Sequence, residues 1–533
     1  MRWVGSAWLL YYAPYTAYFK AEGAKVEKPV AVEEMLAEGL RRLFLKPGAD
    51  RHRGFVEELA RGGRLALELE EKKTKDEEKT GSYVFRLYRL EEGGGLKELG
   101  VRLKIEKVRE SIIYALEFDD AERWQRFFKL EREAGVKAAE EVKERLPVED
   151  RFPYMVGWVN SDVAISGGQL KMGTTHLWQL AETHALFNWS YVTVHGVSLT
   201  LEGPKPQFYA HTSLDKLDEA IRRGAEGGWL KMLGVEVESW DELKRWVAGH
   251  WDAVVDAAVK RLGEEIRSGL EALRDRLNDD KIAREAVAPA LLLIQAERLG
   301  VDETTLKYFG AVISGAIDGD GYVSAAEGKV VLTSGKRAVA LLWGAVLTAH
   351  DTEVEVRDGR GFNVVASGGA AKLAGLYFLY GPPLLEEDER IINHRLAEAV
   401  KLGAEGLDIR WEGLRRTDKG RVVADLIISE GGAAVKYNVY LRGDAMVLQF
   451  QSTDRSRVEL AARLLKLAGV GAEVKRKGSM DIWRVVATTG MLAAGREKLR
   501  KALANIVRKA VENGWVNTNT AERWLEKLEG AAY

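Results

Sequence analysis

The run Ile313-Ser314-Gly315-Ala316-Ile317-Asp318-Gly319-Asp320-Gly321-Tyr322-Val323 holds the residues best suited to chemistry. Asp318 and Asp320 stand where an apolar helical stretch ends, and Gly319 and Gly321 let the backbone leave a helix and turn into a strand. Carboxylates there face the negative end of the helix dipole, which disfavours each by about 0.3–1 kcal/mol. A second helix bringing another carboxylate alongside would add to the repulsion. A divalent cation relieves it, and magnesium prefers one or two carboxylates completed by water and phosphate oxygens. Such a site suits metal-assisted phosphodiester hydrolysis. The same run invites the second helix, because Gly310, Ala311, Ser314 and Gly315 are small and share one helical face. A plain polar turn is the other reading of Asp-Gly-Asp-Gly. A calcium loop fails: counted from Asp318, Tyr322 falls at a ligand position, Val323 replaces the required glycine and Lys329 replaces the closing glutamate.

This run resembles the LAGLIDADG motif of homing endonucleases and their relatives. A second copy is Met155-Val156-Gly157-Trp158-Val159-Asn160-Ser161-Asp162-Val163, in which Gly157 matches Gly315, Asn160 matches Asp318 and Asp162 matches Asp320. The resemblance implies double-stranded DNA as partner and magnesium held by the last acid of each motif. Asp162 and Asp320 would then be the catalytic metal ligands, with Asp318 as a further ligand or cap. The second copy departs from the pattern: Val156 and Trp158 replace small residues on the contact face, and Val163 replaces the final glycine. Lys216 and Lys372 are only loose counterparts of the family's supporting lysine. The chain also resembles the PaRep-type repeat proteins of hyperthermophilic archaea, through Met155–Asp162, the helix His176–His184 and the run Leu306–Val323. That resemblance covers roughly the C-terminal three quarters, implies a duplicated or mobile-element-like origin and specifies no activity.

Two stretches must position the acids. Both read helix, two strands, helix, two strands, helix, one from Arg151 to Arg223 and one from Glu303 to Leu379. The expected fold is α+β. It has an N-terminal α+β segment (1–150), a degenerate LAGLIDADG-like αββαββα unit (151–225), a helical insertion (226–300), a second such unit (301–385) and a basic α+β domain (386–533). In detail, residues 20–75 read as charged helices with Glu71–Lys79 as a solvated loop, and the apolar Trp3–Phe19 as a buried opening strand or helix. A long helix is expected over Asp120–Arg145. The C-terminal domain reads as a third, motif-less relative of the repeat. Gly381–Glu389, with paired prolines and an acid run, is the clearest boundary.

DNA affinity comes mainly from phosphate contact. The strands of the second unit offer little for it: Tyr322–Ser334 carries only Lys329, and Glu353 and Glu355 follow. The charge lies elsewhere, with about −1 over residues 1–150, about −9 over 151–400 and about +8 over 401–533. Candidate phosphate contacts are therefore Lys475, Arg476, Lys477 and Arg484 beside Trp483 on a hairpin, then Arg496, Arg500 and Arg508, with Lys498, Lys501 and Lys509, on a final helix. A solvated amphipathic helix is the competing reading of that last segment.

The chain has no cysteine, which excludes disulfides, thiolate zinc sites and cysteine nucleophiles and fits a reducing, cytoplasmic setting. Its 10 Asn and 7 Gln against 79 Lys and Arg and 81 Asp and Glu read as a hot-environment protein. No apolar run is long enough to span a bilayer, and Pro14 and the tyrosines argue against a signal peptide. His176, His184, His195 and His211 lack tight metal-ligand spacing, and no Walker loop, G-x-S-x-G elbow or dinucleotide fingerprint is present. Two functional expectations follow. One is a DNA-binding protein related to LAGLIDADG endonucleases, with or without magnesium-dependent cleavage. The other is a regulatory or structural protein that kept the fold and lost the chemistry.

Overall fold

Apolar side chains at alternate positions make most of the described residues up to 118 into strands. The computed structural model describes residues 2–4, 7–11, 32–44, 53–60, 64–75, 80–91, 93–108, 111–146, 148–201, 203–359, 361–386, 388–443, 445–478 and 481–530. The first elements are β1 (Arg2–Val4), β2 (Ala7–Tyr11), α1 (Val32–Phe44), α2 (Arg53–Ala60), β3 (Arg64–Lys75), β4 (Thr80–Leu90), β5 (Leu96–Val108) and β6 (Ser111–Phe118). Phe85, Leu87, Leu103, Ile105 and Leu116 bury one face of this antiparallel sheet. The helices close over that face: Gly39 of α1 lies against Tyr114, and Phe55 of α2 meets Phe118, Trp124 and Phe127 at ring distances of 5.9, 5.5 and 5.8 Å. Cross-strand ion pairs cover the other face, with Arg86 2.8 Å from Glu70 and Arg102 2.9 Å from Glu70 and 2.8 Å from Asp119.

Two expectations are corrected here. Residues 64–75 form a strand rather than a helix, and β3 carries through most of the segment read as a loop; residues 76–79 lie outside the described residues. The Glu- and Lys-rich composition favours helix locally, but Leu65 and Leu67 follow the two-residue period and β3 has a partner on each side. Of the apolar opening, β1 and β2 are strands, and the part from residue 12 onward lies outside the described residues. The expected long helix is α3 (Ala121–Gln125) and α4 (Lys129–Glu144), separated by a 3-10 turn at Arg126–Phe128.

Next come α5 (Phe152–Asn160), β7 (Ala164–Ser166), β8 (Gln169–Thr174), α6 (Leu177–Phe187), β9 (Tyr191–Thr200), β10 (Gly203–Ser213) and α7 (Asp215–Gly227). A helical stretch follows: α8 (Trp229–Met232), α9 (Trp240–Gly249), α10 (Trp251–Leu262), α11 (Arg267–Arg274) and α12 (Asp280–Leu299). The second repeat is α13 (Glu303–Asp320), β11 (Gly321–Ser324), β12 (Lys329–Ser334), α14 (Arg337–Ala349), β13 (Val354–Asp358), β14 (Phe362–Ala366) and α15 (Ala370–Tyr380). Its sheet order is β11-β12-β14-β13, antiparallel throughout. The first repeat places its strands in the matching order: the first half of β8 pairs with β7, and β10 lies between β8 and β9. The duplicated order of elements is therefore matched by a duplicated strand order.

The chain ends with α16 (His394–Gly403), β15 (Asp408–Arg416), β16 (Val422–Glu430), β17 (Ala433–Arg442), β18 (Ala445–Ser452), α17 (Arg455–Leu467), β19 (Val474–Arg476), β20 (Trp483–Thr488), α18 (Thr489–Ala493), α19 (Glu497–Glu512) and α20 (Thr518–Gly530). Its sheet order is β15-β16-β17-β18-β20-β19. Four consecutive strands precede the helix, so this domain is not a third copy of the two-strand repeat. The sequence reading missed β15, whose alternation is diluted by five charged residues in nine, and α20.

The mixed α+β chain divides into two compact units, Met1–Lys137 with Met172–Leu180 and Trp189–His211, and Ala138–Lys171 with Ala181–Asn188 and Thr212–Tyr533. Among the described residues no helix is long and apolar enough to cross a membrane.

Candidate functional site

The second unit contains both motif helices, and the glycines decide how they meet. Just ahead of helix α5, Asp150 Oδ1 accepts the Phe152 backbone N–H at 3.0 Å, and Pro153 stands in the helix's first turn. Helix α13 starts in a capping box between Asp302 and Thr305. Each is buried nearly end to end, so the two cross inside the protein. A Cβ on Gly315 would lie 2.6 Å from the Trp158 nitrogen and 2.7 Å from the Tyr154 oxygen; one on Gly157 would overlap the Val312 oxygen and stand 3.1 Å from the Gly315 Cα. This is backbone against backbone, a spacing that only glycine permits. Val156 and Trp158 do not prevent it, because Gly157 alone supplies the approach on the α5 side. Ser161 Oγ lies 3.2 Å from the Gly157 and Gly315 carbonyl oxygens and ties the helices together.

The tips abut. A Cβ on Gly319 would overlap Ser161 and come within 3.2 Å of the Asp162 backbone nitrogen. Asp320 follows Gly319 directly, so the two acids singled out by the motif, Asp162 and Asp320, belong to adjoining chain ends. Asp162 is half-buried and Asp320 reaches solvent. Protein crowded around the Asp320 carboxyl nevertheless raises it above the usual carboxylate range, with Arg284 and Arg395 pulling it down and Glu285 pushing it up.

Those arginines are the feature the motif did not announce. Arg395, from α16, donates to the carbonyl oxygens of Ile317 (2.8 Å) and Gly319 (2.7 Å) and to that of Asp318. Arg284, from α12, donates to the Ser161 oxygen at 2.6 Å. Each guanidinium thus sits on the exposed carbonyls at the negative end of one motif helix. The segment read as a helical insertion supplies one of the two, and its Glu285 accepts at the backbone oxygen from Asn160 Nδ2 at 2.5 Å and pairs through its carboxylate with Lys336 at 2.6 Å.

Asp318 does not join the tip. The expectation that it is a metal ligand meets a fully buried side chain turned into a polar cluster. Asn393 Nδ2 donates to Asp318 Oδ1 at 2.7 Å and approaches Glu182 Oε1 at 3.0 Å, and the Tyr377 hydroxyl donates to Asp318. Glu182, also buried, is linked to Asp318 through the Asn393 amide that donates to both. Burial and the neighbouring charge hold Glu182 well above its ordinary value, while burial pushes Asp318 up to about 6 against the pull of Tyr377 and Asn393. Two carboxylates in such a site share one proton. Glu182 was legible only as an acid inside an otherwise apolar helix; Asn393, Tyr377, Arg284 and Arg395 come from distant segments with no motif of their own.

Magnesium would need the Asp162–Asp320 pair plus water or phosphate oxygens. At this tip Asp320 already interacts with two guanidinium groups, which supply countercharge of the kind a dication would bring. Among the described residues no cluster of three or more His, Asp or Glu side chains is arranged around a metal position. The residues present fit arginine compensation better than a dication.

The expected phosphate contacts divide. Lys475 faces Arg484 across the β19–β20 pairing, and with Gly471, Glu473, Val486 and Met491 they line a depression of about 400 Å³. The hairpin expected there is present, with Lys475 2.8 Å from Glu473 and Arg476 3.4 Å from Asp481; Lys477 lies just beyond β19. One face of Trp483 is taken by Arg455, 4.7 Å from the ring centre. On the last helices the cations serve the fold. Arg496 donates to the Leu467 oxygen at 2.8 Å, Arg500 to the Leu528 oxygen at 2.9 Å, and Arg508 pairs with Glu529. Comparison with known proteins finds no matching family model and no significantly similar curated protein or solved structure.

Proposed function

We propose that this chain is a DNA-binding protein built on a pair of LAGLIDADG-like helices whose tips are held by arginine rather than by a metal. The observation that carries this reading is the glycine-on-glycine crossing of α5 and α13. It brings the two motif copies, some 150 residues apart in sequence, into the paired arrangement that their resemblance implies. Arg284 and Arg395 favour a protein that binds without cutting. The β19–β20 hairpin, with Lys475 opposite Arg484, is the best placed of the cationic segments for phosphate. The test is a gel shift on duplex DNA over a salt series. Binding that weakens steeply with salt, and weakens uniformly across sequences in Lys475→Ala/Arg484→Ala, supports the proposal; no shift even at low salt overturns it.

A second reading, magnesium-dependent cleavage, is favoured by the abutting of the Asp162 and Asp320 chain ends. Incubation with supercoiled plasmid and magnesium separates the two. Nicking that disappears in Asp320→Asn selects the nuclease, and binding without nicking selects the arginine-held binder.

A further inference from the structure

At the opposite end of α5 from the tip lies a cavity of about 420 Å³, walled by the last turns of α4, the start of α5, the last turn of α6 and α7, with every lining residue in the second unit. That volume lies in the range of small-molecule sites. Arg151, on its wall, is placed against every local preference. It occupies the N-cap of α5 but makes no capping bond, since Asp150 caps the helix instead. Its positive charge therefore stands at the positive end of a helix dipole. The side chain is half-buried, its one hydrogen bond is a long 3.4 Å contact to the Ala185 oxygen, and among the described residues no carboxylate lies within ion-pair distance of it. Arg223, ion-paired with Glu219, lines the same cavity close enough for the two guanidinium groups to repel; burial first and that repulsion second lower Arg151's affinity for its proton, against the opposing pull of Glu140 and Glu219. One anion between them relieves all these costs.

The rest of the lining specifies more than an anion. Lys143 and Lys216 add positive charge and Glu149 and Asp150 add negative charge, while Glu140 and Glu219, the latter already paired with Arg223, would repel a ligand that was anionic throughout and would accept from hydroxyl groups. His184 Nδ1 is buried on this wall without a partner. The geometry points to a binding site for a small sugar phosphate, with its phosphate between Arg151 and Arg223 and its hydroxyls towards Glu140 and Glu219. The site is separate from the motif tips and independent of whether the chain binds DNA.

Calorimetric titration of the full chain with ribose 5-phosphate and with inorganic phosphate tests this. Saturable binding of ribose 5-phosphate is expected, with inorganic phosphate weaker by about tenfold or more because it lacks the hydroxyls. Arg151→Met is expected to weaken ribose 5-phosphate by at least about tenfold and Arg151→Lys to recover part of the loss. Lys143→Met, at an exposed position that does not bear on folding, is expected to weaken binding by a smaller factor. Absence of saturable binding, unchanged affinity in folded Arg151→Met, or inorganic phosphate binding as tightly as the sugar phosphate would each overturn the proposal.

Discussion

Asp318 and Glu182 show how a residue can keep a motif's identity and take a different part. Asp318 holds the first acid position of the motif, yet it is fully buried next to Glu182, a carboxyl from the other repeat, with the Asn393 amide donating to both. An acid whose value rises on folding binds its proton more tightly in the folded chain. The stability this pair contributes is therefore fully present below the unfolded value of 3.8 and is lost as pH rises through about 6. Asp318→Asn replaces the titrating acid with a neutral amide. Urea unfolding across a pH series is expected to show the slope between pH 4 and 6 largely removed in that variant, a difference of about 3 kcal/mol at most; an unchanged slope would mean that Asp318 does not take up its proton in that range. At this scale the sequence exposed only residues with a pattern around them. Asp320 was legible from the glycines and apolar positions beside it, and Asp162 only through its alignment with that run. Arg284, Arg395 and Asn393 were not, because each acts on a helix end more than 70 residues away and owes its role to packing.

Helix ends and helix crossings carry the element scale. Gly315→Ala places a methyl group 2.6 Å from the Trp158 nitrogen, so the helices must separate; a loss of about 1–3 kcal/mol or more is expected in denaturant unfolding. An alanine at Gly335, which has open space around it, is the control and is expected to be near neutral. Arg395→Met removes the donor from three carbonyl oxygens at the α13 terminus. Backbone hydrogen exchange is expected to rise there, with a stability cost of about 1–3 kcal/mol; unchanged protection would show that Arg395 does not hold the tip. The repeats were readable as elements because their helices and strands keep clean periods and are punctuated by glycine. β3 was misread because its composition favours helix and only its pairing with β2 and β4 makes it a strand. The C-terminal domain was misread as a repeat because β15, the strand that breaks the pattern, is too charged to stand out.

Over the whole molecule, the uneven charge foreseen in the sequence remains, but folding redistributes its meaning. Arg496 and Arg500 became carbonyl donors and Arg508 an ion-pair partner, leaving the β19–β20 hairpin as the better phosphate candidate. Arg508→Ala is accordingly expected to change DNA affinity little, whereas Lys475→Ala/Arg484→Ala is expected to lower it and to flatten its salt dependence; gel shifts at several salt concentrations read both. The division into units could not be read from linear boundaries. The first repeat divides between the two, β9 falling in one and α5 in the other, and a sequence scan sees only contiguous segments. Everything proposed for the tip depends on Asp162 and Asp320 standing together. Because the chain has no cysteine, Asp162→Cys/Asp320→Cys creates the sole thiol pair. Treated with a short thiol-to-thiol cross-linker, the folded double variant is expected to form an intramolecular link between residues 162 and 320, detected by peptide mass. If both thiols label readily with a monofunctional reagent but no link between them forms, the paired-tip account is wrong.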